Sequence, residues 1–503
     1  MEEGFTLKNK RIIIIGAGIA GLATGCYARM NGYETIIYEM HDKPGGVCTS
    51  WKRKGYTFDY CIHNLAGSGK RAALRKVWDE LGALDGTDII DHEMFVRVEG
   101  PKGETLNLYT DLDRLEKHLL NIAPEDAVAI KKYIDAGRAL AKADVFAMSL
   151  GEKKRWLGML PRLPAVMKWS KVPMESYAQR FTNPFLRQAF PHLQYDVTGP
   201  EMPLLPNLIF LGGFEIGDLG WPRGGSLEFS RRIARRFDAL GGEMNYLSFV
   251  EKIIVNNGTA TGIRLADGSE QYADIVVSAA DGYFTIYNML DGSYTNELID
   301  AYYDHFVESQ SFGLQVYLGL NRDLTNEPHA LTLILDQAIT LEGRGRNSLY
   351  LEIFDSATGM APEGKSVIKV VTEGNYNYWR ILRKDMAKYM TTKDTIAETV
   401  INVLEKRFPG IRKQVEAVDV TTPVSVQRYT NNFHGLQPWP APKGDFQIMQ
   451  KGLSKTLPGL NNFFMVGQWA GAMIGVSTAA VTGRNLVKQI CKKDGKRFVI
   501  ANS

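Results

Sequence analysis

Cysteine is scarce: the 503 residues hold four, Cys26, Cys48, Cys61 and Cys491, with no CxxC spacing among them. That spread offers neither a zinc site nor a disulfide framework, so no metal is expected. Long apolar runs are missing as well. None reaches the roughly 18 residues that a membrane-crossing helix needs. The opening "MEEGFTLKNK" has neither the apolar core of a signal peptide nor the composition of a transit peptide, which predicts a cytoplasmic location. Charge of one sign is lacking too. With 59 Lys and Arg against 56 Asp and Glu the formal charge is +3, and no basic run is long enough to argue for nucleic acid. What remains is an ordinary globular composition, in a chain long enough for two or three lobes and a sizeable interior.

Glycine, by contrast, is placed with purpose in "RIIIIGAGIAGLATGCYARMNGYETIIYE", residues 11–39. Four consecutive isoleucines read as a strand buried on both faces, and the glycines begin where that run ends. Gly16 permits a tight turn, Gly18 lets the main chain approach a pyrophosphate, and Gly21 lets a helix pack close to the strand. Leu22, Cys26 and Met30 continue at helical spacing, which leaves the N–H groups of the helix start facing whatever lies over Gly16 to Ile19. "ETIIYE" reads as a second parallel strand. Its last residue, Glu39, lies where a carboxylate accepts both ribose hydroxyls of a dinucleotide.

Beyond Glu39, "MHDKPGGVCTSWKRKGYTFDYCIHNLAGSG" reads as a long functional loop. Residues 71–214 alternate helical patterns such as "DRLEKHLLNIA" with proline-broken stretches, and predict a mostly helical insertion. "WPRGGSLEFSRRIARRFDALGG" predicts an amphipathic helix capped by Ser226. From Glu243 to Asp281 short strands with turns at "NNG" and "ADG" close on "ADIVVSAAD". Residues 312–372 again alternate strand-like segments, "FGLQVYLGL", "LTLIL", "SLYLEIF" and "SVIKVVT", before a helix over "TKDTIAETVINVLEKRF". The tail "NNFFMVGQWAGAMIGVSTAAVTGRNLVKQI" reads as a buried strand, a glycine turn and a long helix.

Three of these segments together resemble the FAD-dependent phytoene desaturase, carotenoid isomerase and retinol saturase family, within the amine-oxidase-like flavoproteins. They are "GAGIAGL" with Glu39 and "KPGGVCTSW"; "WPRGGSLEF" through "ADIVVSAAD"; and "MVGQWAGAMIGVSTAAVTGRN". The resemblance implies an α/β fold: a discontinuous Rossmann-like FAD-binding domain (1–70, 215–290 and 455–503), a helical insertion (71–214) that forms a lid, and a mixed-sheet substrate domain (291–454). It implies that Gly16, Gly18 and Gly21 hold the FAD pyrophosphate, that Glu39 holds the ribose, and that Gly45 and Gly46 let the loop lie along the cofactor. Val250 matches a position whose backbone recognises adenine. Gly467, Gln468, Gly475, Val476 and Ser477 would approach the pyrophosphate, ribityl chain and flavin ring. Ala17, Ile19, Ala20, Met40, Val47, Ile62 and Ala279 complete the implied cofactor set. Independently of the resemblance, a helix starting near Val476 would offer N–H groups and a positive dipole end to a reduced, anionic flavin. Val47 stands where many relatives carry a basic residue, and "GGVCTSW" is closer to retinol-saturase-like sequences than to bacterial desaturases.

In such a protein the flavin supplies hydride chemistry and the chain supplies a shaped apolar cavity and a proton donor or acceptor. "FDYCIHNLAG" matches a segment under the flavin, which makes His63 the candidate catalytic residue, with Asp59 and Cys61 as neighbours. The competing reading has His63 hydrogen-bonded structurally, and packing roles are favoured for Tyr429, His434, Cys26, Cys48 and Cys61. In "EKKRWLGMLPRLPAVMKWSK", residues 152–171, basic groups interleave with Trp156, Leu157, Met159, Leu160, Leu163, Val166, Met167 and Trp169. This composition suits either a membrane-surface patch at a tunnel mouth or an inter-lobe contact. The expected activity is oxidation or reduction of carbon-carbon double bonds in a long apolar polyene, retinoid or isoprenoid lipid. Only one dinucleotide fingerprint is visible, so electrons would pass to or from a quinone, oxygen, a protein carrier or a transient nicotinamide. Redox-neutral cis-trans isomerisation on reduced FAD and amine oxidation are the enzymatic alternatives. A non-enzymatic prenyl-lipid carrier is disfavoured, since such proteins erode the cofactor motifs that are intact here.

Overall fold

The isoleucine run forms strand β1 (Arg11–Ile15), the glycine turn leads into helix α1 (Ile19–Met30), and the chain returns as β2 (Glu34–Tyr38). The computed structural model describes residues 10–141, 145–152, 157–194, 202–304, 311–435, 454–470 and 475–501. β1 lies at the centre of a five-stranded sheet, in the order Phe463–Met465, Ile275–Ser278, β1, β2, Glu243–Asn245. Every neighbouring pair is parallel, so the N-terminal, middle and C-terminal segments meet in one sheet. Parallel strands covered on both faces explain why β1 is apolar throughout rather than alternating. Helix Val476–Lys493 crosses α1 at backbone contact. A Cβ on Gly483 would lie 2.5 Å from the Thr24 hydroxyl and 2.9 Å from the Ala20 carbonyl oxygen.

Beside this sheet, Val250–Asn256, Thr259–Leu265 and Glu270–Tyr272 form an antiparallel meander. Its first turn uses Asn257 and Gly258 at positive φ, as a two-residue hairpin with the right-handed strand twist requires. A second, seven-stranded sheet runs Val415–Thr421, Ser311–Leu320, Ser366–Gly374, Arg344–Asp355, Ala330–Leu341, Met94–Glu99, Thr105–Tyr109. Helix Met386–Arg407 covers it with Ile396, Val400, Val403 and Leu404, a stripe at helical spacing whose burial contributes about 1.5–3 kcal/mol per side chain.

Two sequence expectations change. The stretch 71–214 is largely helical, with Leu112–Ile122, Ala127–Ala141 and Leu204–Glu215 its longest helices, yet Met94–Glu99 and Thr105–Tyr109 join the seven-stranded sheet. Their pairing with Ala330–Leu341, over 200 residues away, leaves no local trace in the sequence. Ser226 is not a helix cap: the helix Gly225–Ala239 starts one residue earlier, after Gly224 at φ +88°. The Ser226 hydroxyl instead donates to Asp59 (2.8 Å) and accepts from the Ile62 N–H (2.9 Å), tying this helix to the loop before His63.

Candidate active site

The turn after β1 is fixed by main-chain bonds. The Gly16 N–H donates to the Tyr38 carbonyl (2.8 Å), and the Gly45 N–H donates to the Ala17 carbonyl (2.9 Å). Gly16 has φ +95°, a conformation that favours glycine. Gly21 packs behind the turn, with no room for a side chain: a Cβ there would sit 2.0 Å from the Gly16 carbonyl oxygen. At Gly18 a Cβ would meet nothing within 4 Å, so bare backbone faces open volume where a pyrophosphate would lie. Glu39 is buried at the end of β2. Its two oxygens accept the Ala17 N–H (2.7 Å) and the His41 N–H (2.9 Å), leaving further lone pairs for a diol. Burial pushes the Glu39 carboxyl pKa up and the two N–H donors pull it back.

A cavity of about 510 Å³ opens over this turn, within the range of small-molecule and cofactor sites. Gly16, Gly18, Ile19, Ala20, Glu39 and Met40 line one end, with Val250 and Ala279 beside them. Gly45, Gly46, Val47, Ile62 and His63 line its middle, facing Gly467 and Gln468. Gly475, Val476 and Ser477 also line it, where the helix Val476–Lys493 begins as expected with its first N–H groups free of intrahelical partners. Ala17 and Gly21 stand behind the lining. The Ser477 hydroxyl is already engaged with the Ala66 carbonyl (2.9 Å), so its side chain holds the loop. The lining also takes in the apolar side chains of Phe146, Met202, Pro206, Ile209, Phe210 and Val371, together with Gln194 and Gln315.

His63 stands on this wall with Nδ1 hydrogen-bonded to a carboxylate oxygen of Glu352. The second Glu352 oxygen is ion-paired to Lys369 at 3.0 Å. Glu352 and Lys369 are direct register partners on neighbouring antiparallel strands, and both are buried. Burial lowers the His63 pKa; Glu352 raises it and Lys369 lowers it again, for a net fall. Glu352 is depressed overall, because His63 and Lys369 outweigh its desolvation. Asp218 also goes unforeseen in the sequence: it accepts the Gly67 and Gly69 N–H groups (2.9 Å each) and holds the loop after His63. Asp281 lines the cavity with one oxygen bonded to the Phe284 N–H (2.9 Å) and the other without a well-directed hydrogen bond among the described residues. The signal for Glu352 and Lys369 was a charge inside an otherwise apolar strand, in "SLYLEIF" and "SVIKVVT".

Other candidates separate. Tyr429 lines the cavity, whereas His434 stacks on Phe433 and Tyr376 and is not on its wall. Cys48 and Cys61 both line it; Cys48 is buried against the Ser226 carbonyl, and burial drives its thiol pKa well up. Cys26 is buried in α1, as packing predicts.

Residues 14–81 match the NAD(P)-binding Rossmann-like domain family. The chain is 23% identical over 491 residues to the chloroplastic prolycopene isomerase of Daucus carota, covering 94% of this chain and 78% of that one. It is 23% identical to the all-trans-retinol 13,14-reductase of Danio rerio (94% and 86%) and 25% identical to a neurosporene-forming phytoene desaturase of Cereibacter sphaeroides (86% and 84%). Over most of its length this chain is therefore similar in sequence to a prolycopene isomerase, a retinol 13,14-reductase and a phytoene desaturase. It also shares a fold with a solved oxidoreductase from Methanosarcina mazei, at a TM-score of 0.65 and 18% identity, covering 95% of this chain and 100% of that one. Its Rossmann-like α/β part and multi-stranded mixed sheet make up that shared fold.

Proposed function

We propose that this protein is an FAD-dependent oxidoreductase acting on carbon-carbon double bonds of a long apolar polyene, retinoid or isoprenoid lipid. One observation carries the reading: a single cavity runs from a glycine-turn cradle with a buried carboxylate to an apolar chamber, and the His63 imidazole stands on its wall. The bare backbone at Gly18 and Gly475, the Glu39 carboxylate and the N-terminus of the helix Val476–Lys493 fit a dinucleotide with an anionic centre. Bound there, the flavin supplies hydride transfer. The chain's own part is to hold the cofactor through residues 1–70, 215–290 and 455–503. It presents the lipid in the chamber between residues 71–214 and 291–454, excludes water with apolar walls, and moves a proton at His63.

Purified protein is expected to be yellow. Anaerobic incubation of its reduced form with all-trans-retinol and a C40 polyene, followed by mass analysis, reads the reaction. A gain of two mass units means saturation. A loss of two by the oxidised form means desaturation, and unchanged mass with altered retention means the isomerase reading. His63→Ala is expected to slow conversion at least 100-fold with the cofactor retained. Colourless protein that binds prenyl lipid, or oxidation of polyamines in place of polyenes, would sink the proposal.

Substrate entry has a plausible surface. Leu157, Leu160, Leu163 and Met167 are exposed, whereas Met159 and Trp169 are buried and anchor the segment; Trp156 lies outside the described residues. The helix Leu163–Trp169 packs on Leu204–Glu215, whose Pro206, Ile209 and Phe210 wall the chamber. Among the described residues no helix is long and apolar enough to cross a membrane. Contact at a membrane surface through this patch, with its Arg162, Lys168 and Lys171, fits the composition. The protein is expected to sediment with anionic phosphatidylserine-containing vesicles, and Leu160→Glu with Met167→Glu to release it. Equal sedimentation of both proteins argues for an inter-lobe contact instead.

A further inference from the structure

Lys369 and Glu352 lie in the buried stretches 367–371 and 349–354 of two neighbouring strands, and the residues that share their face of the sheet, Tyr350, Phe354, Val367 and Val371, belong to the hydrophobic core. Two ions in such a place are costly, and a hydrophobic pair of similar size is often as stable or more so. Lys369 makes no well-directed hydrogen bond among the described residues; it has only its 3.0 Å ion pair with Glu352. The pair is therefore a poor device for stability. It does one thing that apolar residues cannot: it puts a carboxylate oxygen on Nδ1 of the His63 ring at the cavity wall.

We propose that Glu352 and Lys369 are positioning residues that fix the tautomer and the plane of His63, so that proton exchange with the cavity takes place at Nε2. The inference rests on the reading of His63 as the proton carrier. An ionised carboxylate only accepts, so the proton shared with Glu352 belongs to Nδ1, and the ring in its neutral form has its lone pair on Nε2. The Tyr350 hydroxyl donates to the same Glu352 oxygen at 3.1 Å and limits its swing. Lys369 holds the other oxygen, so the carboxylate cannot rotate away from the ring.

The two charges also oppose each other. Burial disfavours an imidazolium at His63 most strongly, Glu352 favours it and Lys369 disfavours it again, so the carboxylate only partly offsets the other two. The other titratable groups around the pair among the described residues include Asp59 on Tyr56–Asp59, held by Ser226, Tyr317, whose hydroxyl burial keeps protonated, Tyr350, and His92 and His329, both kept neutral by burial. Neither of these histidines carries a charge near neutral pH that would override the pair. Asp59 titrates at about 6 and adds a negative charge above that pH, in the same sense as Glu352.

Nitrogen NMR of full-length holoprotein with 15N-labelled histidine tests this, comparing wild type, Lys369→Met, Glu352→Gln and the charge-balanced double variant. His63 in the wild type is expected as the Nδ1–H tautomer. Its pKa is expected to rise by at least one unit in Lys369→Met and to fall by at least one in Glu352→Gln. The double variant is expected to show mixed tautomers. Either single variant can fail to fold with an unpaired buried ion, in which case the wild-type tautomer and the double variant decide. An Nε2–H tautomer in the wild type, shifts of the same sign, or an unchanged ring in the double variant overturns the proposal. The catalytic reading fails separately, if His63→Ala converts substrate at the wild-type rate.

Discussion

Gly21→Ala protein is expected to emerge colourless and destabilised by about 3 kcal/mol or more, the upper end of an overpacked core position. The added methyl would lie 2.0 Å from the Gly16 carbonyl oxygen and 3.1 Å from the Ala279 side chain. Gly16 cannot yield, because its N–H is bonded to the Tyr38 carbonyl and it begins the turn directly after a strand paired on both sides. Relief must come from lifting α1 off β1, which moves every N–H that faces the cradle. Dinucleotide affinity is expected to fall at least 100-fold by flavin titration. Glu39→Ala provides the contrast. It leaves the Ala17 and His41 N–H groups without their carboxylate, a cost of about 1–3 kcal/mol to whatever depends on them. The expected result is a 10- to 100-fold weaker hold on the cofactor with circular dichroism unchanged. Wild-type affinity in Gly21→Ala would show that this turn is not the cradle.

Asp281→Asn is expected to stabilise the protein at pH 8 by about 1–3 kcal/mol and to bring no gain at pH 5. Asp281 follows the strand Ile275–Ser278, is 2% exposed, and has one oxygen without a well-directed hydrogen bond among the described residues. Burial pushes its pKa up to about 7, against an ordinary 3.8. A carboxyl whose folded pKa is raised contributes its full share of stability below the unfolded value and loses it as pH rises toward the folded one. The loss across that window is about 4 kcal/mol. Asparagine removes the titration and keeps the acceptor for the Phe284 N–H, but it brings an unpartnered amide, which takes back about 1–3 kcal/mol. Urea midpoints of both proteins at pH 5 and pH 8 check this. An equal difference at the two pH values would mean that Asp281 ionises normally. A carboxyl kept at such expense in the wall of a cavity is a candidate for function, and loss of cofactor affinity in the same variant would assign it to the dinucleotide.

The cradle was legible because its chemistry is local. A branched apolar run, glycines three and two residues apart, and an acid at the end of the next apolar run each restrict the backbone within a few residues of themselves. The start of the last helix at Val476 was legible for the same reason, a glycine turn followed by small residues. His63 was placed near the flavin by family resemblance, and the structure sets it on the cavity wall. His434 carried the same residue type in a similar setting, yet it stacks between aromatic rings away from the wall. No local feature distinguishes the two histidines.

The sequence by itself determined the elements: a strand, a glycine turn and a helix, a meander with its turns, and a covering amphipathic helix. Only the tertiary structure decided which charges meet. Glu352 and Lys369 became partners through strand register, Ser226 passed from helix start to a tie with Asp59, and the hairpin 94–109 left the helical region for the far sheet. Backbone conformation is governed by nearest neighbours along the chain, whereas electrostatic pairing and sheet extension depend on distances across it, which no short window of residues contains.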